Sequence, residues 1–105
     1  MIVVTLSAHM TQRRNGLVLV LKGELDFSTT PRLLEAVSDA LTGGTANLLI
    51  DAGGLTFCDS HGLEGLLEAQ KRINRAGGSM ELAHVHGRVR RVLDLSGLGR
   101  AFTIV

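Results

Sequence analysis

Ala46-Asn-Leu-Leu-Ile50, then Asp51, Ala52-Gly-Gly-Leu-Thr-Phe-Cys58 and Asp59-Ser60-His61-Gly62-Leu63 run on without a break, and their reading decides the fold. The first five residues are short and mostly apolar, the pattern of a strand buried within a sheet. Asp51 closes that strand, and the glycine-bearing segment 52–58 is expected to be a loop. From Asp59 the period changes. Leu63, Leu66, Leu67, Ile73 and Ala76 keep helical spacing until Gly77-Gly78 stops them. A buried strand that feeds an amphipathic helix is half of a βαβ unit, and such units build largely parallel sheets with right-handed crossovers.

On the amino-terminal side, the β-branched residues 2–6 suit an edge strand, and Thr11-Gln-Arg-Arg-Asn-Gly16 reads as a turn. Leu17-Val-Leu-Val-Leu21 is an apolar run suited to a strand covered on both faces. Ser28, Thr29 and Thr30 precede Pro31, so a hydroxyl caps a helix that opens on proline. Leu33, Leu34, Val37, Ala40 and Leu41 give that helix its apolar face, and Gly43-Gly44 ends it. On the carboxyl-terminal side, Ser79-Met-Glu-Leu-Ala83 alternates as a strand. Val89, Val92 and Leu93 line a short helix, and Phe102-Thr-Ile-Val105 forms a last strand. The order is ββαβαβαβ. The expectation is one α/β domain over residues 1–105, with a mixed, mostly parallel sheet of about five strands and helices packed on it.

Composition bounds the function. Hydrophobic residues make up 45% and charged residues 20% of 105, an ordinary globular balance. Three Phe, no Trp and no Tyr leave the core to aliphatic side chains and offer little for stacking nucleic-acid bases. A net charge of +1 implies no general affinity for nucleic acid or anionic membrane. One Cys cannot form an internal disulfide or a four-thiolate zinc site, which suits a reducing cytoplasm. The start carries no signal-peptide pattern, and no apolar run is long enough to span a bilayer. No cofactor motif is present, and His84 and His86 alone do not make a metal site.

The chemistry concentrates at Phe57-Cys58-Asp59-Ser60-His61-Gly62-Leu63. Asp59 suits the N-cap or first turn, and Ser60 falls at or beside the first helical residue, where free backbone N–H groups converge. A phosphate on Ser60 would meet those amides. Gly62 is expected to leave room near Ser60 for another protein. The plain reading of Asp59-Ser60 is a helix cap. Asp26 has two readings, a cap on the following helix or a partner contact. Asp51 is expected to brace the Asp59 loop, Cys58 to be a small buried residue, and Arg88, Arg90 and Arg91 to form a solvated face.

Four segments give the chain a resemblance to the STAS family, and within it to the bacterial anti-sigma factor antagonists. Leu21-Lys-Gly-Glu-Leu-Asp26 is similar to the family's L-x-G-x-L-D. Leu49-Ile-Asp51 with Phe57-Cys-Asp-Ser-His-Gly62 resembles its I-D…F-x-D-S-S/T-G segment. Gly77-Gly-Ser-Met-Glu-Leu82 resembles the glycine turn into the fourth strand, and Val92-Leu-Asp-Leu-Ser-Gly-Leu98 the closing L-x-x-x-G-L. The resemblance spans residues 17–105 and implies a binding protein. The single Cys and the absent signal-peptide pattern make the cytoplasm its expected location, and since nothing in the sequence demands an oligomer a monomer is expected when free. The resemblance implies as partners an anti-sigma factor with serine kinase activity and a serine phosphatase. It makes Ser60 the phosphorylation site and Asp26, Asp59, Ser60, His61 and Gly62 the partner-binding residues. His61 departs from the usual Ser or Thr, leaving Ser60 the one hydroxyl of the motif. The imidazole either points to solvent or pairs with a phosphate.

Two other functional classes compete. An esterase would use Ser60 as nucleophile and His61 as base, but adjacent residues at a helix start point about 100° apart, and no G-x-S-x-G elbow occurs. A scaffold or ligand-sensing STAS module would keep the fold without phosphorylation. The sequence reading is therefore a binding protein and not an enzyme.

Overall fold

A computed structural model of the chain describes residues 5–45 and 47–105. The five strands lie in the sheet in chain order: β1 Leu6–Arg13, β2 Gly16–Leu25, β3 Asn47–Cys58, β4 Ser79–Ala83 and β5 Thr103–Ile104. Only β1 and β2 pair antiparallel, as a hairpin, and every later pairing is parallel. The helices α1 Thr30–Thr42, α2 Ser60–Arg75 and α3 Gly87–Ser96 make the crossovers, and a 3-10 turn at Leu98–Ala101 precedes β5. The expected order and the mostly parallel five-stranded sheet are both observed.

One face of the sheet carries the core. Leu19 and Leu21 of β2, Leu48 and Ile50 of β3, and Met80 and Leu82 of β4 are buried in it. They meet Leu33 and Val37 of α1, Leu63, Leu66 and Ile73 of α2, and Val89 and Leu93 of α3. Val18, Val20 and Leu49 point to the other face and are half-buried. The run 17–21 is therefore covered on one side, not on both as its unbroken apolarity suggested.

Several boundaries depart from the sequence reading. The edge strand expected over residues 2–6 falls at 2–4 outside the described residues, as does Ala46. Within the described residues β1 takes in Thr11 to Arg13, so the turn expected over 11–16 narrows to Arg14-Asn15. The larger correction is at 52–58, which continues β3 instead of forming a loop. The β2–β3 register slips by one residue between Val20 and Lys22, and again between Gly23 and Glu24. Each slip is a bulge that puts an extra β3 residue into the ladder. Buried positions accordingly step from Leu48, Ile50 and Ala52 to Leu55 and then Cys58. At Gly54 a side chain would meet the Lys22 Cγ at 2.7 Å, so glycine suits the crowded bulge. The bulges hid the strand by destroying its period of two.

Thr29 is the N-cap of α1, but its hydroxyl makes no cap bond there. It donates instead to the Glu24 carbonyl at 2.8 Å, and Pro31 opens the helix as expected.

Candidate functional site at the end of the second and third strands

Leu25 and Cys58 are register partners at the carboxyl ends of β2 and β3, so Asp26 and Asp59 leave the sheet from adjacent strands. The Asp59 N–H ties the two exits together by donating to the Leu25 carbonyl at 3.4 Å. The carboxyl end of a parallel sheet is where α/β folds present their functional groups.

Asp26 holds the turn into α1. Its Oδ1 accepts the Ser28 N–H at 2.9 Å, the Ser28 hydroxyl at 2.8 Å and the Thr29 N–H at 3.1 Å. These bonds, the Ser28 hydroxyl foremost, keep its carboxyl below the ordinary 3.8 against a smaller opposing effect of desolvation. Its carbonyl accepts from the Thr30 N–H at 2.9 Å. The turn-capping reading of Asp26 is thus built into the structure.

Asp59 is the N-cap of α2, with an extended backbone and a carboxylate that accepts the Gly62 N–H at 2.9 Å. The Leu63 N–H donates to the Asp59 carbonyl at 3.0 Å. The first-turn N–H groups of Ser60 and His61 are left without an intrahelical acceptor. Ser60 is the first helical residue and is exposed. His61 follows it, 57% exposed at its side chain, with Nδ1 4.0 Å from the Asp59 carboxylate. Its ring meets that of Phe27 edge-on, centroids 5.6 Å apart. Among the described residues no hydrogen bond joins Ser60 to His61.

Gly62 lies elsewhere than expected. It is buried, and a side chain there would collide with the Leu25 carbonyl. The space it leaves is filled from within, by the end of β2, so Gly62 seats α2 on the sheet and offers no gap to an incoming protein. Asp51 also departs from expectation. It accepts the Gly53 N–H at 2.9 Å and steadies the β3 bulge, well before Asp59.

Cys58 is 2% exposed, and burial first, then the neighbouring Asp59 carboxylate, pushes its thiol up to about 11. His86 Nε2 lies 2.9 Å from the Gly53 carbonyl, and no cluster of three metal-ligating side chains occurs among the described residues. Arg88 lies over the Phe57 ring at 5.4 Å. With Arg91 it lines a hollow that Cys58 and Asp59 share. The sequence reading placed these arginines on a solvated face without this contact. It also passed over Phe27, whose place in a polar turn between Asp26 and Ser28 marked it as a side chain with no route to the core.

The STAS model described as Mlab, STAS domain matches residues 8–105. The chain belongs to the STAS domain family. In sequence it is 33% identical over 100 residues to the anti-sigma F factor antagonist of Paenibacillus polymyxa, over 94% of this chain and 86% of that protein. The fold of this STAS domain is shared with a crystal structure of an anti-sigma factor antagonist from Mycobacterium paratuberculosis, at TM-score 0.82, 23% identity and coverage of 94% and 84%. It is shared also with the anti-sigma factor antagonist SpoIIAA in its unphosphorylated form, at TM-score 0.76, 23% identity and coverage of 94% and 88%. The phosphorylated form of SpoIIAA, a Bacillus cell fate determinant, matches at TM-score 0.69, 24% identity and coverage of 94% and 91%. Among the described residues of this STAS domain, no helix is long and apolar enough to cross a membrane.

Proposed function

We propose that this STAS domain is an anti-sigma factor antagonist. It binds an anti-sigma factor through the surface where Asp26, Asp59, Ser60 and His61 leave the ends of β2 and β3, and so frees a sigma factor in the cytoplasm. The anti-sigma factor is also the serine kinase that phosphorylates Ser60, and a serine phosphatase restores the unmodified form. The name of the Paenibacillus relative and the two SpoIIAA forms support this reading. The observation that carries it is the exposed Ser60 hydroxyl at the first position of α2, directly after the Asp59 cap.

The switch follows from charge. A phosphate adds about −1.5 to −2 charges at neutral pH, next to the Asp59 carboxylate. In the free protein that charge stays hydrated and sees the amino-terminal end of the α2 dipole. Within a packed interface it must lose water beside a like charge. A penalty of about 3–4 kcal/mol weakens binding a few hundredfold, enough to exchange partners. Gly62 contributes by seating the start of α2, and the reaction chemistry resides in the partner.

The test measures binding of the anti-sigma factor to the unmodified chain, Ser60→Ala and Ser60→Asp. The unmodified chain and the alanine form bind tightly, and the aspartate form binds at least tenfold more weakly. Equal affinity in all three, with no phosphate on Ser60 in cells, removes the switch and favours a scaffold or ligand-sensing module.

A further inference from the structure

A second surface adjoins the Ser60 turn. α1 and α2 run side by side, and the seam between them opens into an apolar groove of about 750 Å³. Phe27, Pro31 and Leu34 form its apolar lining. Phe27 is 75% exposed and adds its ring to this contiguous apolar patch. The two helices meet closely beneath the groove because Gly65 has no side chain: a Cβ there would lie 2.5 Å from the Thr30 Cγ2. One end stops at the Phe27–His61 ring contact, next to Ser60. The other stops where Arg72, held by Glu68 at 3.8 Å, reaches the Ser38 hydroxyl at 3.4 Å.

The charge of the groove is one-sided. Glu35 on α1 and Glu64 on α2 both line it, and neither has an ion-pair partner among the described residues. The Arg72 cation is already matched by Glu68. An apolar floor between unpaired carboxylates on opposite walls complements an apolar stripe flanked by cations. From His61 to Arg72 the groove follows about 16 Å of helix axis at about 1.5 Å per residue, which matches about three turns of a second helix.

We infer that the α1–α2 groove is a docking site for an amphipathic helix of the anti-sigma factor, with leucine-like residues on its apolar stripe and lysine or arginine beside them. This rests on the anti-sigma reading above and extends it from the Ser60 turn to a second, continuous surface. The helix lies along the seam with one end at the Phe27–His61 contact, so that the groove supplies affinity while the Ser60 turn supplies control.

The experiment places the photo-crosslinking residue p-benzoylphenylalanine at Phe27 or Ser38 of the full chain, with Thr11 on the open sheet face as control. Crosslinked peptides from the complex with the anti-sigma factor are mapped by mass spectrometry. In parallel, binding of that factor to Glu35→Lys/Glu64→Lys and to Ser60→Asp is measured. Both groove positions are expected to capture one basic amphipathic segment of the factor, Thr11 to capture none, and the charge reversal to weaken binding at least tenfold. If Ser60→Asp weakens binding but the charge reversal does not, and positions 27 and 38 stay unlinked, the groove inference is wrong and the switch stands. Capture of a second copy of this chain, or of a small amphiphile, also overturns it. If neither substitution changes binding, both readings fall together.

Discussion

Gly62 sits directly against the carbonyl of Leu25, so close that any side chain on it would overlap the end of β2. The contact is to backbone, which cannot swing aside as a flexible side chain would. The beginning of α2, and with it the position of Ser60, is therefore set by the absence of one methyl group. Gly62→Ala is expected to cost about 1–3 kcal/mol, as overpacking of a rigid contact does. Urea unfolding followed by circular dichroism checks this, and an unchanged midpoint would show that α2 can shift outward freely.

The α1–α2 seam makes a sharper case because its obstacle is a side chain. A Cβ at Gly65 would meet the Thr30 Cγ2 at 2.5 Å. Gly65→Ala is expected to destabilise by about 1–2 kcal/mol despite the higher helix propensity of alanine. Thr30→Ser removes that methyl and keeps the hydroxyl that donates to the Asp26 carbonyl at 2.6 Å. The double variant should recover most of the loss, a coupling of about 1 kcal/mol between touching residues. Strict additivity of the two substitutions would place the strain elsewhere.

How much was legible in the sequence depended on whether periodicity survived. α1 and α2 were readable because Leu33, Val37 and Ala40, and Leu63, Leu66 and Ile73, keep the helical spacing that their burial requires. β3 lost its second half in the reading because two bulges shift its buried residues from a spacing of two to one of three around Ala52, Leu55 and Cys58. Asp59 was readable as a cap, since N-cap chemistry is local. The burial of Gly62 was not, since the carbonyl it meets belongs to Leu25 on another strand. Phe27 and His61 lie far apart in sequence, and their edge-on pairing depends on the register that aligns the ends of β2 and β3.

Cys58 gives a test of the buried strand end. Its thiol is pushed up to about 11 by burial and by Asp59, from an ordinary 9.0. At pH 8 a thiol reagent should label the native chain far more slowly than the chain unfolded in urea. Because the folded value is the higher one, the stability it contributes is fully present below pH 9 and is lost as pH rises toward 11. Cys58→Ala should flatten that alkaline decline. Rapid labelling of the folded protein would mean that the end of β3 opens readily.

The Asp59 cap allows charge and hydrogen bonding to be separated. Its carboxylate accepts the Gly62 N–H at 2.9 Å, and an asparagine carbonyl can accept the same bond. Asp59→Asn is therefore expected to leave stability nearly unchanged, whereas Asp59→Ala loses about 0.5–2 kcal/mol with the cap. Thermal unfolding of the two variants decides it, and equal losses would mean that the charge at the α2 terminus matters more than the bond.

Asp26 offers the same separation through acid. The Ser28 hydroxyl, more than any other group, keeps its carboxyl below the ordinary 3.8, with the Thr29 N–H among the other donors and desolvation opposing them. A folded value below the unfolded one means that the unfolded chain takes up the proton more readily. The stabilisation is then complete above the unfolded value and is lost as pH falls through the folded one. Ser28→Ala removes the 2.8 Å hydroxyl bond, so the Asp26 carboxyl should titrate at a higher pH, nearer its ordinary value. Side-chain carboxyl resonances followed by NMR from pH 6 down to acid report this at the single residue. In Asp26→Asn the loss of stability on acidification should be shallower, because the group that binds the extra proton on unfolding is gone. An identical acid profile in the asparagine variant would mean that other carboxylates govern the low-pH transition.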